Sequence, residues 1–70
     1  MDNVIEVLTP EKASDFLRAR GMHISAETVR LGLQQKVFPF GDVVEGGKVP
    51  RYFVYKKLLD QWTAERASPP

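Results

Sequence analysis

The side chains able to do chemistry are few in this chain, and their spacing removes most of the options. There is no cysteine and one histidine, His23. Disulfide scaffolds, zinc fingers, iron–sulfur sites and cysteine catalysis are therefore excluded. His23 has no carboxylate or thiol at metal-ligand spacing and reads as a polar loop residue. Ser25 has no base beside it to activate its hydroxyl, and reads as a helix cap. Glu11 and Asp15 stand four apart, a like-charge pair on one helix face rather than a catalytic dyad. Gly46-Gly47 lacks the strand-to-helix setting of a phosphate loop. The chain is expected to be no enzyme and to need no metal or cofactor.

What remains is binding chemistry, and it shows in how the charge is distributed. The net charge is only +1. Residues 1–15 hold Asp2, Glu6, Glu11 and Asp15 against Lys12, a net of −3. Residues 16–57 hold Arg18, Arg20, Arg30, Lys36, Lys48, Arg51, Lys56 and Lys57 against Glu27, Asp42 and Glu45, a net of +5. Residues 58–70 return to −1 through Asp60, Glu65 and Arg66. A basic middle between acidic ends points to a surface that meets a polyanion.

Seventy residues make at most one domain. We place it at 1–66, with 67–70 as a tail. A chain this short buries only about 60% of its unfolded surface, so its stability margin is thin. Its 43% hydrophobic and 27% charged residues nevertheless describe a folded domain rather than a disordered one. No stretch approaches the roughly 18 uncharged apolar residues of a membrane span. Met1-Asp2-Asn3-Val4-Ile5-Glu6 lacks the basic region and apolar run of a signal peptide. A cytoplasmic protein without membrane contact is expected.

The elements that position the basic residues can be read from caps and periodicity. Val4 to Leu8 is a short β-branched strand. Thr9 caps a helix of about 11 residues that opens on Pro10, buries Ala13, Phe16, Leu17 and Arg20, and ends at Gly21. Met22-His23-Ile24 is a turn. Ser25 caps a second helix, with Glu27 in its first turn and Val29 and Leu33 facing the core. Gly32 within that helix predicts a close helix–helix approach. Arg30, Leu31, Gln34 and Gln35 face outward, and Pro39 ends the helix, with Val37-Phe38 plugging the core behind it.

Phe40 to Glu45 and Val49 to Tyr55 then form a hairpin around Gly46-Gly47-Lys48. Pro50 predicts that the second of these strands starts at an edge. Tyr52 and Tyr55 share a face only if a bulge intervenes. Phe38, Phe40, Phe53 and Trp62 are spaced to fill the core. The last helix starts at Lys56, spans about 10 residues and sets Leu58, Leu59 and Trp62 on one face. The order of strand, helix, turn, helix, hairpin and helix is that of an α+β, small winged helix-turn-helix domain. In that arrangement the second helix enters the major groove and the hairpin is the wing.

The stretch Ser25-Ala26-Glu27-Thr28-Val29-Arg30, followed by Val37-Phe38-Pro39, resembles the phage excisionase family. That family shares its small winged scaffold with the MerR-type regulators. The resemblance runs from Leu8-Thr9 through Gly46-Gly47 to Leu58-Leu59-Asp60-Gln61-Trp62. It implies a double-stranded DNA-binding accessory factor of a phage or mobile element. Such a factor binds cooperatively and bends DNA to assist an integrase in excision. The last helix, ending near Arg66, is too short for a dimer coiled coil, so any self-association is expected to run head to tail along DNA.

The DNA-facing set it implies on the second helix is Ser25, Glu27, Thr28, Arg30, Leu31, Gln34 and Gln35. Lys48, Arg51 and Lys56 would serve the wing and flanking phosphates. A glutamate accepts from cytosine N4, and an arginine clasps guanine or a phosphate. Leu31 departs from the pattern, because an excisionase of this family presents a second arginine there. Leucine offers only apolar contact, such as to a thymine methyl, so the target sequence does not carry across.

Plainer readings stand beside these. Arg30, Gln34 and Gln35 also suit a solvated helix face, Glu27 a first-turn stabiliser, and Lys48 a charge that guards an exposed edge. The alternative functions are a small phage or MerR-type transcription regulator, or a protein-interaction module that never meets nucleic acid.

Overall fold

The computed structural model describes residues 4–68. The elements run β1 (Val7–Leu8), α1 (Pro10–Ala19), α2 (Ala26–Gln34), β2 (Gly41–Val44), β3 (Arg51–Tyr55) and α3 (Lys56–Arg66). They form an α+β domain in which three helices pack with one antiparallel sheet of strand order β1-β3-β2. No helix among the described residues is long and apolar enough to cross a membrane. Met1–Asn3 and the last two residues of the tail lie outside the described residues.

α1 begins and ends as its capping residues dictate. Thr9 Oγ1 accepts from the Lys12 N–H at 3.1 Å, and Pro10 occupies the first turn, where a missing N–H is harmless. At the other end the Met22 N–H donates to the Leu17 carbonyl (2.9 Å) and the Gly21 N–H to that of Arg18 (3.0 Å). Gly21 turns the chain there at φ +95°. Ala13, Ser14 and Leu17 are buried, and the Ser14 hydroxyl donates to the Ile24 carbonyl at 2.6 Å, tying α1 to the turn. Arg20 does not join the buried stripe. It is exposed, with its guanidinium 4.4 Å from the centre of the Phe16 ring.

α2 starts at Ser25, whose Oγ accepts from the Thr28 N–H at 3.2 Å, and it buries Val29, Gly32 and Leu33. Its end differs from the sequence-based expectation. The helix stops at Gln34, well short of Pro39, because Lys36 adopts φ +59°. Val37 and Lys36 then donate to the carbonyls of Gly32 (2.9 Å) and Leu33 (3.2 Å). This is the closure seen at Gly21, made with a lysine in a backbone region that disfavours any Cβ by about 1–2 kcal/mol. Lys36→Gly is therefore expected to stabilise the domain by about 0.5–1 kcal/mol, after allowing for the greater freedom of glycine in the unfolded chain. A higher urea midpoint at unchanged slope would show it.

Two further details of this segment correct the sequence reading. Gly32 makes room for an aromatic ring, not for a second helix, since a Cβ there would collide with Phe38. Of the pair Val37-Phe38 only Phe38 packs against the core, and Val37 is 62% exposed.

β3 is the central strand, flanked by β1 and β2, so Pro50 does not mark an edge. It precedes the first paired residue and removes no ladder bond. The β2–β3 register, Gly41 opposite Val54 through Val44 opposite Arg51, contains no bulge. Tyr52 and Val54 therefore face the core, while Phe53 and Tyr55 take the other face. Phe53 is half-buried there rather than part of the core. β1 spans two residues, not five, and Val4 and Ile5 before it are exposed.

The core centres on Phe40, which is fully buried and stacked on Phe38 at 5.1 Å between ring centres. Trp62 meets both rings edge-on, at 5.6 and 5.2 Å. In α3 the buried residues are Leu59 and Thr63, whose hydroxyl donates back to the Leu59 carbonyl at 3.0 Å. Leu58 is 40% exposed and does not share their face.

Candidate nucleic-acid interface

The helical period decides what α2 shows to solvent. With Val29, Gly32 and Leu33 turned inward, Glu27, Thr28, Leu31, Gln34 and Gln35 form a continuous exposed side. Glu27, Thr28 and Leu31 carry a carboxylate, a hydroxyl and an apolar surface in adjacent turns. Ser25 stands exposed at the start of the helix, and its hydroxyl is engaged with both the amide and the hydroxyl of Thr28.

Arg30 sits at the flank of that side, half-buried and held from two directions. Its guanidinium pairs with the Glu11 carboxylate of α1 and lies 5.9 Å from the centre of the Tyr52 ring in β3. The Gln34 amide donates to the Tyr52 hydroxyl. Glu11, Arg30, Tyr52 and Gln34 thus form one polar cluster across α1, α2 and β3. The Glu11 carboxyl is lowered from its ordinary value, first by the backbone amide of Glu11 in the first turn of α1, then by Arg30. Sequence reasoning did not single out Glu11 or Tyr52 for this cluster. Their separations from their α2 partners, 19 residues for Glu11–Arg30 and 18 for Tyr52–Gln34, leave no periodic signal.

The β2–β3 hairpin turns through Gly46 at φ +117°. Lys48 and Arg51 are exposed on it and form no ion pair among the described residues. Behind them, the Tyr55 hydroxyl donates to Asp42 at 2.8 Å across the two strands. That bond raises the tyrosine's pKa.

Lys56 stands apart from these two residues. It opens α3 at the opposite end of β3, roughly 16 Å from Arg51 by the rise of a strand. Its ammonium bonds Asp60 at 2.9 Å, which raises its pKa, and lies 5.8 Å from the Phe16 ring centre. Among the described residues no group of three or more histidine, aspartate or glutamate side chains is placed to hold a metal.

The arrangement therefore offers one helix side rich in donors and acceptors, beside a hairpin whose Lys48 and Arg51 form no ion pair among the described residues, although Asp42 and Glu45 balance them in net charge. Compared with models of known families, with curated proteins and with solved structures, the chain gives no match.

Proposed function

We propose that this chain is a sequence-specific double-stranded DNA-binding accessory factor of a phage or mobile element, acting like an excisionase. On this reading the domain is a small winged helix-turn-helix. α2 lies in the major groove and the β2–β3 hairpin is the wing over the flanking minor groove or phosphates. The observation that carries the reading is the exposed side of α2, Glu27 to Gln35, next to the unpaired Lys48 and Arg51.

Five side chains have defined roles in this docking. Glu27 accepts from a cytosine N4, Leu31 lies against a thymine methyl, and Gln35 reads an adenine edge. Lys48 and Arg51 meet phosphates without regard to sequence. Lys56, committed to Asp60 at the far end of β3, contributes least. The partner that breaks and rejoins DNA is an integrase, and copies of this chain sit head to tail on tandem repeats.

The test is fluorescence anisotropy against a generic duplex at several salt concentrations. A log–log slope of roughly −2 is expected, about −0.9 for each of the phosphates met by Lys48 and Arg51. Lys48→Ala is expected to weaken binding to every sequence alike and to reduce the slope by about one. No binding at 50 mM salt would overturn the proposal and direct the search to a protein partner. A preference for one isolated inverted repeat over tandem direct repeats would favour a dimeric transcription regulator instead.

A further inference from the structure

Of Arg30 on α2, Lys36 just after it, and Lys48 and Arg51 on the hairpin, only Arg30 forms an ion pair among the described residues. Its partner is Glu11. The pair contributes little to folding, because Arg30 is 36% and Glu11 61% exposed. Its consequence lies in what Arg30 is free to bind. The ring of Tyr52, fixed by the Gln34 bond to its hydroxyl, backs the guanidinium and keeps it beside Glu11.

A phosphate oxygen approaching Arg30 offers one anionic acceptor in exchange for another, and Glu11 repels it. Arg30 therefore adds almost nothing to the counterion-driven attraction that governs binding to any duplex. A guanine edge differs. It presents two acceptors, O6 and N7, in the plane of the guanidinium fork, and it carries no net charge for Glu11 to repel.

We propose, resting on the DNA-binding reading above, that Glu11 is a specificity-determining residue that never touches DNA. By holding Arg30 it withholds that charge from phosphates and releases it only to a matching base edge. The affinity forgone is for generic DNA, which widens the gap between right and wrong sequences.

The experiment compares wild type, Glu11→Gln, Arg30→Gln and the double variant on a generic duplex by anisotropy across a salt series. Thermal melts establish that all four fold. Glu11→Gln is expected to bind the generic duplex about three- to tenfold tighter at 50 mM salt, with a slope steeper by about one. Arg30→Gln alone is expected to change generic binding less than about twofold, and to abolish the gain when combined with Glu11→Gln. An equal gain with and without Arg30 would show that Glu11 merely repels phosphates, and would overturn the inference. So would no gain at all in a wild type that binds. If none of the four proteins binds duplex DNA, the DNA reading falls too, an outcome distinct from the first two.

Discussion

Phe40→Ala is expected to lower the melting temperature by about 15–30 °C, enough to leave most of the protein unfolded under physiological conditions. Phe40 is fully buried and is the largest such side chain. Truncating a buried phenylalanine costs about 3–5 kcal/mol in transfer free energy and residual cavity. A domain of 70 residues has about 3.5–10 kcal/mol of stability in all. The loss also falls where the core cannot close up, because Phe38 of the same α2–β2 connection stacks on the Phe40 ring while Trp62 of α3 meets it edge-on. Circular dichroism melts would measure it. Phe40→Leu keeps most of the volume and should cost only about 1–1.5 kcal/mol. Leu31→Ala, on the exposed side of α2, should change stability by less than about 0.5 kcal/mol. A melt of Phe40→Ala within a few degrees of wild type would mean that the three-ring packing is not what holds the helices to the sheet.

The sequence announces structure where a single residue type answers a local backbone need. Thr9-Pro10, Gly21 and Ser25 fall at the helix boundaries because a side-chain acceptor, a missing N–H and a positive φ each solve a problem confined to one turn. The same logic fails at the end of α2. Lysine carries no signal for the left-handed conformation that Lys36 adopts, so Pro39 stands out as the stop although the chain has already turned. Position in the sheet was equally hidden. Pro50 suggests an edge only if the strand after it is one, and the pairing of β3 with the two-residue β1 makes it central.

In the candidate site the division follows the same line. The outward side of α2 is legible because a 3.6-residue period fixes it once Val29 and Leu33 are assigned inward. The Glu11–Arg30–Tyr52–Gln34 cluster is not, because it depends on how α1, α2 and β3 meet. Contacts between elements distant in sequence arise from packing. No spacing rule within one element reports them.

Gly41→Ala tests that packing directly, since Gly41 of β2 lies against both the β3 backbone and a side chain of α2. A Cβ on Gly41 would collide with the backbone carbonyl of Phe53 and press the Leu33 Cδ2 at 3.1 Å. The leucine tip can rotate away. The carbonyl cannot, because Phe53 lies within the central strand, paired opposite Asp42. Relief requires β2 to move off β3, or the hairpin to tilt away from α2. Overpacking of this kind costs about 1–3 kcal/mol, and the fixed backbone places Gly41→Ala at the upper end of that range. Urea denaturation would read the loss, and amide exchange would locate it in the β2–β3 pairing. Stability and binding should then part company. The folded fraction of Gly41→Ala still carries every side chain proposed to meet DNA, but with Lys48 and Arg51 displaced relative to the exposed side of α2. Its affinity for duplex, corrected for the folded fraction, should therefore fall below that of wild type. An unchanged corrected affinity would mean that α2 and the hairpin bind independently, and that their spacing in this fold is not part of the recognition geometry.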